Sequence, residues 1–227
     1  MMTFFRFPHT PHLAWLGSDE PRGDKVLSAS EANELLAGEV VVEEKIDGAN
    51  IGFSLQDRTI MVQNRGQYLE CPFRGEFTRL NGWLEHHKAK LLQLPEDYIL
   101  FGEWCAVRHT LSYNDLLDWF IAFDVYDRGA GKFLSTARRN EVCALAGVSV
   151  IPRVFVGQTS LGSLKDRVLG ASSWFKSGAL EGFVIKKESA DWLEARAKLV
   201  RPDFLQAIGP YSSSRKIEWN RVACGVW

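Results

Sequence analysis

Short runs of β-branched and aromatic residues alternate along the chain with stretches of helical period. Val40-Val41-Val42 opens a strand that continues into Glu43-Glu44-Lys45. Residues 51–55 and 59–63 alternate in polarity about Gln56-Asp57-Arg58, the pattern of a hairpin. Upstream, Ser28-Ala29-Ser30-Glu31 has the form of a capping box and predicts a short helix ending near Gly38. Phe77, Leu80, Leu84 and Leu91 recur at helical spacing among Arg79, Glu85, Lys88 and Lys90, which predicts an amphipathic helix within 74–93. Further strands are expected at 98–104, 119–126, 148–156, 182–187 and 195–201, with helices at 136–146 and 161–169. Hairpins at irregular spacing predict an α+β fold with antiparallel sheets rather than a βαβ array. With no Pro/Gly/Ser-rich linker and no internal repeat, residues 1–227 are expected to form one domain.

Composition narrows the class. A chain of 227 residues that is 46% hydrophobic and 24% charged can bury a core and is neither collagen-like nor disordered. No apolar run is long enough to span a membrane, and Arg6, Pro8 and Pro11 interrupt the apolar opening, so no signal peptide is expected. Cys71, Cys105, Cys143 and Cys224 form no CxxC pair, which fits reduced thiols in a cytoplasmic protein and speaks against structural zinc. The formal charge of −1 excludes a basic coat. Its distribution is uneven: residues 58–90 hold six basic and three acidic side chains, and 186–221 hold eight and five. Such runs describe either a solvated mixed surface or two basic segments converging on a phosphate-bearing ligand.

Candidate chemistry centres on Glu44-Lys45-Ile46-Asp47-Gly48-Ala49-Asn50. A strand delivers a lysine, alternation puts Asp47 on the same face, and a glycine turns the chain. A lysine of lowered pKa is a covalent nucleophile, although Lys-x-Asp-Gly alone also describes a strand-end lysine in a surface ion pair. Read in order, the chain then offers Arg65 in Asn64-Arg65-Gly66, Glu103 in Phe101-Gly102-Glu103, and Phe123 in Phe123-Asp124-Val125. Glu181 to Lys186 follow in Glu181-Gly182-Phe183-Val184-Ile185-Lys186, and Lys198 with Arg201 in Lys198-Leu199-Val200-Arg201. Over about 40–205 this succession resembles the covalent nucleotidyltransferase superfamily of DNA ligases, RNA ligases and mRNA capping enzymes. Glu-Lys-Ile-x-Gly-x-Asn is most similar to the phage RNA ligase 2 type.

The resemblance implies two antiparallel β-sheets flanked by helices, and an ATP-dependent RNA ligase that seals 5′-phosphate and 3′-hydroxyl ends in RNA repair. It implies that Lys45 forms lysyl–AMP and that Lys198, with Arg201, places positive charge on the α-phosphate. Lys198 would also help keep Lys45 unprotonated through like-charge proximity. Glu103 and Glu181 would hold Mg²⁺ or Mn²⁺, Phe123 would stack on adenine, and Glu44 would accept from its amino group. Arg65 would contact ribose or the RNA 5′-phosphate, and Asn50 and Lys186 would complete the nucleotide site. For each, an ion pair or a core position is the ordinary alternative. Val200 stands where a second lysine is expected, and Asp47 follows the DNA ligase pattern rather than the phage one. His9 and His12, in an N-terminal segment placed to cover the site, are read as structural. The tail Ser214-Arg215-Lys216-Ile217-Glu218-Trp219-Asn220-Arg221 resembles the end of the ligase domain in RNA-ligase-like proteins. The chain after residue 205 is too short for an OB domain, so weak, salt-sensitive binding of nicked or broken RNA is expected, supplemented by a partner protein or homodimer. A minimal DNA ligase and a non-catalytic nucleotide- or nucleic-acid-binding module are the competing readings.

Overall fold

The computed structural model describes residues 3–18, 23, 25–207 and 217–223. Two sheets carry the molecule. One has the order β10(Leu193–Val200)–β9(Gly182–Glu188)–β1(Glu39–Lys45)–β8(Arg153–Gln158), every pair antiparallel. The other has the order β3(Thr59–Asn64)–β2(Ala49–Gln56)–β4(Tyr98–Trp104)–β5(Phe120–Asp127)–β6(Lys132–Phe133), also antiparallel, with β7(Ser149–Val150) added parallel to β5. The expected strand at 148–156 is thus two strands serving different sheets. Pro152 lies at the break, where its missing N–H could not have continued a ladder.

Helices cover the outer faces. Leu80, Trp83 and Leu91 of α2(Leu80–Leu91) and Cys143 and Ala146 of α3(Thr136–Ala146) are buried in one cluster with Ile51, Phe53, Leu100 and Phe120 of the larger sheet. α1(Ala29–Leu36) and α4(Leu161–Gly170) bury Ala32, Leu35, Leu164 and Val168 against Val40, Val42, Phe183 and Ile185 of the smaller one. The capping box of α1 forms as expected, with Ser28 and Glu31 each accepting the other's backbone N–H. The hairpin between β2 and β3 turns through Asp57 and Arg58, both at positive φ (49° and 58°), the primed geometry that matches strand twist. α5(Pro202–Ala207) and the two-residue β6 had no periodic signal to reveal them. No helix among the described residues is long and apolar enough to cross a membrane.

Candidate active site

β1 is an inner strand of the smaller sheet, and Lys45 is its last residue. The chain then leaves that sheet, and Ala49 begins β2 in the other. Lys45 therefore lies where the chain crosses between sheets. Gly48 makes the crossing possible: a Cβ there would lie 2.6 Å from the Trp104 carbonyl oxygen. Its N–H donates to Glu103 Oε1 at 3.1 Å. Asp47 ties the turn to the loop after β4. Its N–H donates to Tyr113 Oη at 2.9 Å, and its Oδ2 accepts from the N–H groups of Thr110 (2.7 Å) and Leu111 (2.9 Å). Residues 217–223 run beside that loop and clip it. Asn220 Oδ1 accepts from Tyr113 N–H at 2.9 Å, and Asn220 Nδ2 donates to Cys105 O at 2.8 Å.

A cavity of about 670 Å³ opens beside the turn. Lys45, Asp47, Asn50, Arg65, Glu103, Phe123, Lys186, Arg196 and Lys198 line it, with Phe7, His9 and Thr10 from the N-terminal segment. The Lys45 ammonium pairs with Glu181 Oε1 at 2.6 Å. Burial disfavours its charge, but Glu181 and Glu103 outweigh burial and hold its pKa above the usual lysine value. The net direction is therefore upward, opposite to that of a pre-activated amine. Burial, with Asp47 and Glu103, raises Glu181 to about 8 against the attraction of Lys45, and burial with Asp47 raises Glu103 to about 7 against Lys45, His109 and Arg65. Three carboxylates crowding one ammonium are short of positive charge. Glu181 Oε2 is moreover buried without a hydrogen-bond partner.

These features suit a hard divalent cation. Among the described residues no three His, Cys, Asp or Glu side chains gather into a metal cage. Mg²⁺-type sites use one or two carboxylates completed by substrate phosphates and water, which Glu103 and Glu181 can provide.

A buried charge network backs the cavity. Glu43 accepts from Arg139 Nη2 (2.6 Å) and Lys186 Nζ (2.8 Å), and Lys186 also donates to Asp124 Oδ1 (2.9 Å) and the Phe123 carbonyl (2.8 Å). Arg196 pairs with the other Asp124 oxygen. Burial raises the Asp124 carboxyl's pKa, but Lys186 and Arg196 more than reverse that and keep it low. With two hydrogen bonds and an ion pair, Lys186 fixes Phe123 and the meeting of the sheets at the cavity wall.

Most expected residues come together here, Arg201 excepted. Arg201 does not line the cavity. It lies three residues beyond Lys198, so strand alternation turns it away. Its Nη1 donates to the carbonyls of Val168 (3.1 Å) and Leu169 (2.6 Å) in the last turn of α4, and it pairs with Asp203. The second cation on β10 is Arg196, two residues before Lys198 and on the same face, a signal that alternation alone would have revealed. Glu44 lines the cavity, and its oxygens accept from Ser173 Oγ (2.5 Å) and Trp174 N–H (2.9 Å), so this carboxylate also secures the 171–180 loop. Asn50 Oδ1 and Arg65 Nε are buried without partners and remain disposed to receive a ligand. Of the tail, Ser214 to Lys216 and Cys224 lie outside the described residues. His12 is buried, in keeping with its structural reading, whereas His9 is exposed and lines the cavity.

The family model described as RNA ligase matches residues 38–200. No curated protein sequence matches the chain. Among solved structures, a mutant of Naegleria gruberi RNA ligase with ATP and Mn superposes with a TM-score of 0.61 at 16% identity, over 91% of this chain and 59% of that one. A second mutant, R4a apo, gives 0.60 at 17%, over 90% and 64%, and a third, with AMP and Mn, gives 0.57 at 16%, over 90% and 64%. The chain spans 52–64% of the length of the structures it resembles. At such identity the likeness is one of fold.

Proposed function

The chain belongs to the RNA ligase family, and from that membership we propose that it is an ATP-dependent RNA ligase whose nucleophile is Lys45, with residues 1–227 acting as one nucleotidyltransferase domain. The observation that carries this reading is the Lys45 ammonium, 2.6 Å from Glu181 and surrounded by carboxylates, in a cavity that also holds Arg65, Arg196 and Lys198. Binding alone needs no amine at that place.

In the first step Lys45 Nζ, its proton released to solvent, attacks the α-phosphorus of ATP. A P–N bond forms as the P–O bond to pyrophosphate breaks. The lysyl–AMP conserves activation while the RNA end enters. A 5′-phosphate oxygen then displaces Lys45 to give RNA-adenylate, and a 3′-hydroxyl displaces AMP to form the phosphodiester. Each step is attack at phosphorus, so the protein's contribution is alignment and charge neutralisation. Lys198 and Arg196 face the α-phosphate, Arg65 binds a phosphate of the nucleotide or RNA end, and Phe123, held through its carbonyl by Lys186 and Arg139, packs on the base. A divalent cation held by Glu103 and Glu181 would neutralise charge on the phosphoryl oxygens.

The test is incubation with α-labelled ATP or GTP and Mg²⁺, after an intact-mass check for preformed adduct. Acid-labile label from ATP should survive denaturation and vanish in Lys45→Ala. Absence of any adduct from folded, unmodified protein would sink the reading. Matched RNA and DNA nicks then decide the substrate, and preference for an all-DNA 3′-hydroxyl strand would reassign the protein as a DNA ligase.

A further inference from the structure

One tryptophan is held beside the nucleophile turn with its ring in water. Trp174 is 64% exposed, against 36% for Trp219, the next most exposed tryptophan among the described residues. It packs in none of the apolar clusters that form the cores of the two sheets. Its backbone is nevertheless fixed. Trp174 N–H donates to Glu44 Oε2 at 2.9 Å, and Ser173 Oγ donates to Glu44 Oε1 at 2.5 Å. Ser173 N–H donates to Gly178 O at 2.9 Å, and Phe175 N–H donates to Ser173 Oγ at 3.1 Å. Phe175 is buried edge-on to Tyr113, with ring centroids 6.3 Å apart, and its carbonyl accepts from the N–H groups of Asn114 and Asp115 at 3.1 Å each.

These ties lead to both sides of Lys45. Glu44 is the residue before it, and Tyr113 Oη accepts from the N–H of Asp47, two residues after it. The loop that carries the exposed ring is thus set beside the turn from two directions. Packing accounts for Phe175 but not for Trp174, since a ring left in water adds little to stability. Residues 171–180 read Ala-Ser-Ser-Trp-Phe-Lys-Ser-Gly-Ala-Leu, with Lys176 as their one charge and no acidic side chain. A polyanion meets no repulsion from this segment.

We infer that the Trp174 ring is a stacking platform for a nucleobase of the RNA substrate, next to the end brought to Lys45 for joining. The inference rests on the ligase reading and gives the RNA a contact outside the nucleotide cavity. Every base has a flat face, so stacking on an aromatic ring binds RNA without demanding a sequence. A ring whose backbone is already fixed loses less freedom on binding than one on a loose loop. A protein partner fits less well: a stable protein interface covers about 800 Å² on each side, whereas Trp174 is a single ring flanked in its segment by serines, a glycine and a lysine. One ring is enough for one base.

Full-length wild type, Trp174→Ala, Trp174→Leu and Trp174→Phe, each shown to be folded by thermal melts, would be compared in three measurements. These are anisotropy with a labelled, 5′-phosphorylated nicked RNA duplex, lysyl–AMP formation against ATP concentration, and sedimentation for oligomeric state. Loss of the stacked base should weaken RNA binding by roughly 10-fold in the Ala and Leu variants, while the aromatic Phe variant stays within about threefold of wild type. Sealing should fall by roughly 10-fold more than lysyl–AMP formation does. Unchanged RNA affinity in Trp174→Ala would overturn the inference. So would an equal rise in half-saturating ATP, which would put the ring at the nucleotide, or a wild-type dimer lost in the variant, which would make the ring a contact between copies of this chain. If wild type forms no lysyl–AMP, the ligase reading fails on its own, and the RNA-binding comparison still decides whether the platform exists.

Discussion

At Lys45 the decisive quantity is the balance between burial and neighbouring charge. A nucleophilic amine must shed its proton, yet the ligand-free site stabilises the ammonium with Glu181 and Glu103. The carboxylates carry a stability consequence. Glu103 and Glu181 titrate near 7 and 8 in the folded protein against a usual 4.5, so the native state holds protons that the unfolded chain has released. The stability they contribute is full below about pH 4.5 and is lost as pH rises through 7 to 8. Thermal unfolding of ligand-free protein should show a melting temperature declining over that window, with a shallower decline in Glu181→Gln. An identical slope in the variant would remove Glu181 as its source. Arg196 and Arg201 make a second contrast. Arg196→Ala should slow lysyl–AMP formation by roughly 10–100-fold, whereas Arg201→Ala should leave the rate within about threefold and instead lower the melting temperature by loosening α4. Adduct formation rates and melts on both variants check the pair.

At the scale of elements, the active-site turn is braced by segments far from it in sequence. Residues 217–223 hold the 105–116 loop through Asn220, and that loop holds Asp47 through Thr110, Leu111 and Tyr113. Asn220→Ala would leave the Tyr113 N–H and the Cys105 carbonyl buried without partners, a cost of about 2 kcal/mol and hence a melting temperature lower by about 4–8 °C. Adduct formation should fall more than ATP affinity, because the turn is displaced and the pocket is not. Equal losses in both would show only general unfolding. The strands and helices themselves were legible in periodicity: β1, the β2–β3 hairpin, β4, β9, α1 and α3 lie within a residue or two of where hydrophobic pattern and caps place them. The split of 148–156 was not, because a run of apolar residues is the same whether it serves one sheet or two.

Across the whole molecule, near-neutral net charge coexists with a cavity that gathers Lys45, Arg65, Lys186, Arg196 and Lys198. If Arg65 and the β10 cations bind phosphates, affinity for nicked RNA should weaken steeply with salt. The slope of log affinity against log salt should shrink by about one for each phosphate-binding cation removed, which titrations of wild type and Arg65→Ala at several salt concentrations would measure. The sequence by itself determined the fold class and singled out Lys45, Glu103 and Glu181, which the fold brings together, since strand alternation, a glycine at a forced turn and the order of motifs are properties of the linear chain. Only the tertiary structure decided which cation joins Lys198, which partners hold Lys186 and Glu44, and that the N-terminal segment borders the cavity. Those outcomes depend on which partners fold within hydrogen-bonding distance. Residues as distant as Glu43 and Arg139, or Pro11 and Lys198, meet only once two sheets have packed, and no local pattern records that meeting.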